Sequence, residues 1–428
     1  MKNSGIEWIG EIPDSWELQP LRGHLIEIKE SNDPIQTRQV LSLTNKLGVI
    51  PYEEKGEQGN KSKENYNEYK LAYPNTIVAN SMNILIGSVG ICNYFGCVSP
   101  VYYVFKPNDE QELKFLDYIF QSQPFQKELR RYAKGILEIR LRVSANDILR
   151  RQVAFPSSQQ QKKIVNFLEG KINQVDELIA NQQGQIEKLK EYKQSVITEA
   201  VTKVLDKSAP LKDSGIEWIG EIPESWNMVR LKNLGWTQNG MSKGGEFFGK
   251  GYPFVSYGDV YKNMILPEKV AGLIETNEIE RNNYSVQEND IFFTRTSETI
   301  EEVGFSCVCK KTIPNAVFAG FLIRVRLFDF DTINIDYAKY YFRGSHIRKY
   351  LVKEMNLVTR ASLGQGLLKT MSVTIPRMEE QKEIADYLDE KCGKIDRLIA
   401  IKQEKIEKLQ EYKKSLIYEY VTGKKEVV

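Results

Sequence analysis

Lysine, arginine, amide and hydroxyl side chains gather in short polar stretches spread over two regions of this chain. In the first region they are KSKENYNEY at 61–69, NSMN at 80–83 and KGILEIRLR at 134–142. In the second they are QNGMSKGG at 238–245, SYGDVYKN at 256–263, FTRTSET at 293–299 and LVTRAS at 357–362. These residue types share one chemistry. Arginine and lysine pair with guanine edges, asparagine with adenine, and serine, threonine and tyrosine reach phosphate oxygens. On that basis the residues singled out are Lys61, Lys63, Asn80, Asn83, Lys134, Arg140, Arg142, Lys243, Tyr257, Thr294, Arg295, Thr296 and Arg360. Any one stretch alone also reads as ordinary solvated loop. Their recurrence in both regions carries the weight.

A catalytic centre is not legible. Gly244 to Gly251 reads GGEFFGKG, which lacks the Ser or Thr after the lysine that holds magnesium in a P-loop, and it reads as a flexible glycine-rich loop. There is no Asn/Asp-Pro-Pro-aromatic tetrapeptide of the amino-methyltransferase type. His24 and His346 are the only histidines, and His346, in SHIRKY, reads as a solvated helix-face residue. The cysteines number 5, an odd count with no disulfide framework, which points to a reducing cytosol. Cys92 with Cys97 and Cys307 with Cys309 lack the usual zinc-knuckle spacing, so they read as small buried side chains and no metal is expected.

The elements that position these stretches come in duplicate. SGIEWIGEIPDSW at 4–16 returns as SGIEWIGEIPESW at 214–226, with Glu224 in place of Asp14. QKKIVNFLEGKINQVDELIANQQGQIEKLKEYKQSVITEAVT at 161–202 is answered by QKEIADYLDEKCGKIDRLIAIKQEKIEKLQEYKKSLIYEYVT at 381–422. In the first of these, Ile164, Leu168, Ile172, Val175, Ile179, Ile186, Leu189 and Val196 step by threes, fours and sevens. Lys and Glu lie between them, which predicts a long amphipathic helix with a coiled-coil-like seam. Gln182 and Lys402 interrupt the two seams at equivalent places and read as solvent-exposed. Each helix follows a short strand-like segment ending in Pro156 or Pro376. The Trp8, Pro13, Trp16 and Trp218, Pro223, Trp226 sets read as anchors of each body against the helices.

The bodies between these repeats read as mixed α and β. Strands are predicted at 76–79, 101–105, 290–293 and 317–327, and helical segments at 113–132 and 337–353. A chain of 428 residues has room for two or three domains. With 27% charged residues and a net charge of only +2, any nucleic-acid surface must be a local patch. The opening MKNSGIEWIG has no apolar core for a secretion signal, and the run from Ala316 to Ile323 is too short to span a bilayer, so a soluble protein is expected.

With these residues laid out, the chain resembles the specificity subunits of type I restriction-modification systems. The likeness rests on SGIEWIGEIPxSW twice, on the strand-Pro then QK start of each helix, on VDELIA and IDRLIA, and on IEKLKEYKQS with IEKLQEYKKS. Inside the bodies, YPNTIVANSMN with CVSPVYYVF, and NDIFFTRTSET with EEVGF, are similar to target-recognition-domain segments. The resemblance implies an α+β fold with two target recognition domains joined by a pair of long antiparallel coiled-coil helices in a pseudo-two-fold repeat. The expected boundaries are 1–158 and 206–378 for the recognition domains, and 159–205 and 379–428 for the helices. Each recognition domain would read one half of a split, double-stranded DNA target. The helices would act as spacer and dock methyltransferase (modification) subunits, two per chain, through Leu178, Ile186, Leu189, Leu398, Ile406 and Leu409. The resemblance implies no cofactor in this chain: S-adenosylmethionine, ATP and Mg belong to the modification and restriction/translocase subunits. It also implies a cytoplasmic protein without catalytic activity of its own. The low net charge leaves open a scaffold that binds proteins through both bodies.

Overall fold

The computed structural model describes all residues except 45–46, 56–64, 109–111, 136–140, 204, 206–207, 298–302, 355–360 and 428. Two compact units result, Met1–Gln183 with Gln403–Val428, and Gly184–Lys402. Both long helices form, as Ser158–Thr202 and Met378–Val421, and each begins in one unit and ends in the other. They start three residues before the repeated segments that open at Gln161 and Gln381. Gly170, Gly184 and Gly393 lie within them without breaking them.

Each unit is built on a four-stranded antiparallel sheet with the same strand order. In the first unit the order is Leu25–Ile28, Tyr102–Pro107, Thr76–Asn80, Val89–Cys92. In the second it is Gly235–Asn239, Leu322–Leu327, Asp290–Thr294, Ser306–Val308. The central strands Thr76–Asn80 and Asp290–Thr294 are buried along their whole length, as expected of strands covered on both faces. The predicted helical segments are each a pair of short helices: Leu113–Gln121 with Gln123–Arg130, and Ile335–Tyr341 with Ser345–Glu354. The expected continuous strand at 317–327 is broken. Val317–Phe318 pairs parallel with Phe248–Val255, and Leu322–Leu327 joins the main sheet. The glycine-rich stretch is likewise ordered: Gly245–Phe247 is a 3-10 turn and Phe248–Val255 a strand, bulged where Gly249 and Gly251 take φ of +90° and +97°.

The helix ends complete both cores. In the first unit Ile164, Leu168 and Ile172 of one helix join Leu416, Ile417 and Tyr420 of the other around Trp16 and Phe115. In the second, Val196, Ile197 and Val201 join Ile384, Leu388 and Cys392 around Trp226 and Tyr337. Trp226 is fully buried and its Nε1 donates to Glu380 Oε1 at 2.9 Å, so the tryptophan motif does anchor body to helix. The glutamine at each helix start has a matching role. Gln161 Nε2 donates to Pro156 O (3.2 Å) while its Oε1 accepts from Glu112 N (3.2 Å). Gln381 Nε2 donates to Pro376 O (2.9 Å) and Thr332 O (3.0 Å), and its Oε1 accepts from Asn334 N (2.7 Å). Surface ion pairs repeat in the same way, Asp176 with Lys413 in one unit and Lys193 with Asp396 in the other, both at 2.7 Å. Such exposed pairs add little stability and serve mainly to favour one register.

His346 and Gln182 are corrections to the sequence reading. Gln182 is buried rather than solvated. His346 is only 3% exposed, lies parallel to Trp218 at a 6.1 Å centroid distance and edge-on to Tyr341. Burial pushes its imidazole down to about 3. The unfolded chain therefore takes up this proton first as the pH falls, and stability is lost between about pH 6.5 and pH 3. From His346 alone, the second unit is expected to be about 2 kcal/mol less stable at pH 5 than at pH 7. Urea midpoints at the two pH values for the native chain and His346→Phe measure it; the variant should lose that part of the pH dependence.

Candidate nucleic-acid interface

Described parts of NSMN and KGILEIRLR in the first unit, and of FTRTSET and LVTRAS in the second, come together past one end of each sheet, held by the same backbone bonds in both units. In the first unit, Ser81 N donates to Val101 O (3.4 Å) and Val143 N donates to Ser81 O (3.1 Å). In the second, Arg295 N donates to Phe321 O (2.8 Å) and Leu363 N donates to Arg295 O (2.7 Å). Three segments that are remote in sequence are thus tied together past the end of the central strand. The frame is common, and the side chains on it differ.

Lys134 and Arg142 exchange two backbone hydrogen bonds (2.8 and 2.9 Å), and both are exposed, Arg142 one residue before Val143. Asn83 is exposed at the start of the turn Asn83–Ile86, two residues from Ser81. Asn80 is different. It is buried, and its Oδ1 accepts from Met82 N at 3.0 Å, so it closes the turn rather than facing outward. Lys61, Lys63 and Arg140 lie outside the described residues.

In the second unit Arg295 is half-buried, with Nη1 3.4 Å from Gly320 O. Thr296 follows it in the short strand Thr296–Ser297, which pairs with Ala361–Ser362. Thr294 is fully buried and its hydroxyl accepts from Phe305 N, so its expected outward role gives way to holding the strand end. Lys243 is tied into the fold by Glu280 Oε2 (2.7 Å) and Glu275 O (2.8 Å), and that bond holds the Glu280 carboxyl below its usual range. Tyr257 opens the helix Tyr257–Lys262 and stacks on Tyr261. Arg360 lies outside the described residues.

Two further basic residues of the second unit, Arg343 and Arg324, are structural. Arg343 donates to Ser306 O, Val260 O, Tyr261 O and Asn263 O, and burial lowers it to about 10. Arg324 is fully buried, with its guanidinium 4.6 Å from the Trp236 ring centre. The cysteines are buried too, and burial raises Cys97 to about 11 and both Cys307 and Cys309 to about 12. Among the described residues no cluster of His, Cys, Asp and Glu could hold a metal, and no helix is long and apolar enough to cross a membrane.

On the long helices, Leu178 and Leu398 are about half exposed, at 47% and 48%, and Leu189 and Leu409 are partly covered. Ile186 and Ile406, expected to face a docking partner, are buried. Tyr192 and Tyr412, at 56% and 51%, are the exposed aromatic side chains that the apolar-step reading passed over. The missed residue on the sheet end is Phe321, 60% exposed at the break in the expected strand, where Gly320 was the available signal.

Comparison with known proteins agrees with this construction. Residues 223–411 match the profile of the type I restriction modification DNA specificity domain. The chain is 27% identical to the type I restriction enzyme MjaVIII specificity subunit of Methanocaldococcus jannaschii, over 74% of this chain and 72% of that one. It is 24% identical to the putative MjaX specificity subunit of the same organism, over 97% of this chain and 95% of the relative. The type I restriction enzyme EcoKI specificity subunit of Escherichia coli K12 is 23% identical over 64% of this chain and 58% of its own length. A chain from a solved structure concerned with assembly and conformational transition of the type I R-M system superposes with a TM-score of 0.69, at 15% identity, over 96% of this chain and 98% of that one. The class of fold is therefore two mixed α/β bodies built on long paired helices. The chain is thus similar, in sequence and in fold, to type I restriction-modification specificity subunits.

Proposed function

We propose that this chain gives a type I restriction-modification complex its DNA sequence specificity, each sheet-end frame reading one half of a bipartite duplex target. The observation that carries this reading is the repeated frame itself. Ser81, Val101 and Val143 are bonded as Arg295, Phe321 and Leu363 are, while the surrounding side chains are unlike. An asymmetric bipartite target needs that combination of one geometry and two chemistries. The chain is the non-catalytic recognition component, with methyltransferase and restriction subunits as partners. Two modification subunits per chain would fit the duplicated helices. S-adenosylmethionine, ATP and Mg would then be handled by those partners in the cytoplasm. The recognition domains would span 1–158 and 206–378, with the helical parts at 159–205 and 379–428. A protein scaffold is not favoured, because it gives no reason for divergent basic and amide loops on one frame.

The test is co-expression with the methyltransferase partner, methylome sequencing to obtain the target, and binding measurements at several salt concentrations. Sequence-specific, salt-weakened binding is expected; binding indifferent to sequence would overturn the proposal. Arg142→Ala and Arg295→Ala should each impair a different half-site. Loss of a base contact should remove ~1–3 kcal/mol of discrimination at one position, whereas loss of a phosphate contact weakens all sequences alike and flattens the salt dependence.

A further inference from the structure

We infer that Phe321 enters the base stack of the half-site read by the second unit and unstacks one base step there. The inference rests on the DNA-reading proposal and adds a distortion of the duplex to it. Phe321 sits on a turn whose backbone is fixed on every side. Gly320 N donates to Met241 O (2.7 Å), Arg295 N to Phe321 O (2.8 Å), and Leu322 N to Ala319 O (2.9 Å). The turn is also tight, since a Cβ on Gly320 would lie 2.2 Å from Ser242 Oγ. A rigid turn thus holds a large apolar ring 60% exposed to water.

Its surroundings select the ligand. Ser242, Arg295, Thr296 and Ser362 lie on the segments bonded to this turn or to its neighbour Arg295, and their side chains are suited to phosphate and sugar oxygens beside the exposed ring. The opposite end of the same strand provides a control within the molecule. Phe328 and Phe330 are equally exposed there, at 62% and 63%, but alternate with Asp329 and Asp331, which would repel a phosphate backbone. Apolar side chains aimed at DNA from a cationic and hydroxyl rim act as wedges that part a base step. Val101 holds the corresponding place in the first unit and is smaller and half-buried, so this chain should insert no comparable wedge into that half-site.

The experiment uses the complex with its methyltransferase partner and the target duplex defined by methylome sequencing. Fluorescent base analogues, 2-aminopurine for purines and pyrrolocytosine for cytosine, are placed in turn at each position of both half-sites. The adenines that methylome sequencing finds methylated are set aside, because a methyltransferase extrudes its target base; of the remaining positions, one in the half-site sensitive to Arg295→Ala should brighten on binding, and none in the other should. Phe321→Ala should abolish the brightening and weaken target binding about tenfold or more, with binding to unrelated duplex unchanged. Phe321→Leu, which keeps an apolar wedge, should retain part of both effects. Thermal melting of the variants verifies that the fold is kept, as expected for an exposed side chain. Brightening that persists in Phe321→Ala, or is absent from the native complex while specific binding holds, overturns the wedge and leaves the DNA reading intact. A native complex with no sequence preference overturns both.

Discussion

Replacing Gln381 with alanine should destabilise the second unit by about 3 kcal/mol, although the substitution removes no apolar contact of note. The side chain joins three backbone groups that no regular element satisfies: Pro376 O, Thr332 O and Asn334 N. Each unpaired buried polar group costs roughly 1–3 kcal/mol, and partial access of water at Thr332 and Asn334 lowers the sum toward the figure given. Asn334 in turn caps the helix Ile335–Tyr341 through its Oδ1, so the loss should spread to that helix. Gln161→Ala should likewise destabilise the first unit, because Gln161 ties Pro156 O and Glu112 N to the helix start. Urea denaturation of the native chain and both variants checks this, and midpoints unchanged from the native chain would contradict it. Gln381→Glu is the informative companion: it keeps the acceptor for Asn334 N and loses both donations, so it should be no more stable than alanine.

This glutamine illustrates what the sequence made legible. The QK pair at each helix start was visible as part of a repeat, and the repeat located the helices and the bodies. Its physical role was not visible, because Pro376, Thr332 and Asn334 converge on Gln381 only through folding. The sheet ends show the same division. Arg142, Lys134 and Asn83 are exposed where residue type suggested, while Asn80 and Thr294 have the same polar character but turn inward to close strand ends. Residue type does not report which way a strand's last residue faces. Phe321 was hidden in an apolar run that reads as one strand, and the break at Gly320 is set by Ser242 and Met241 packed against it. His346 and Gln182 were misjudged for the converse reason. Gln182 sits in a polar run and His346 near Arg348 and Lys349, whereas burial comes from the fold, as from the distant Trp218 for His346.

Extending both long helices together should lengthen the unread spacer of the DNA target and leave the two half-sites unchanged. The insertions belong at the limits of the units, four residues after Gln183 and four after Lys402. Every contact within a unit is then preserved: Asp176 with Lys413 belongs wholly to one unit, Lys193 with Asp396 to the other. Four residues add about 6 Å of helix at 1.5 Å per residue. Duplex DNA rises about 3.4 Å per base pair, so the spacer is expected to grow by about two pairs. Four residues also overrun one helical turn by only about 40°, whereas two would swing the following segment by about 200° and point its apolar stripe away from the seam. Insertion in one helix alone has a different expected result. It shifts one partner by a turn against the other, separates an Asp–Lys pair, and should reduce stability without a clean change of spacer. Methylome sequencing of cells carrying the double insertion reads out half-sites and spacer at once. Changed half-sites with the original spacer would refute the helices as the ruler, because the loops at the sheet ends are untouched by either insertion.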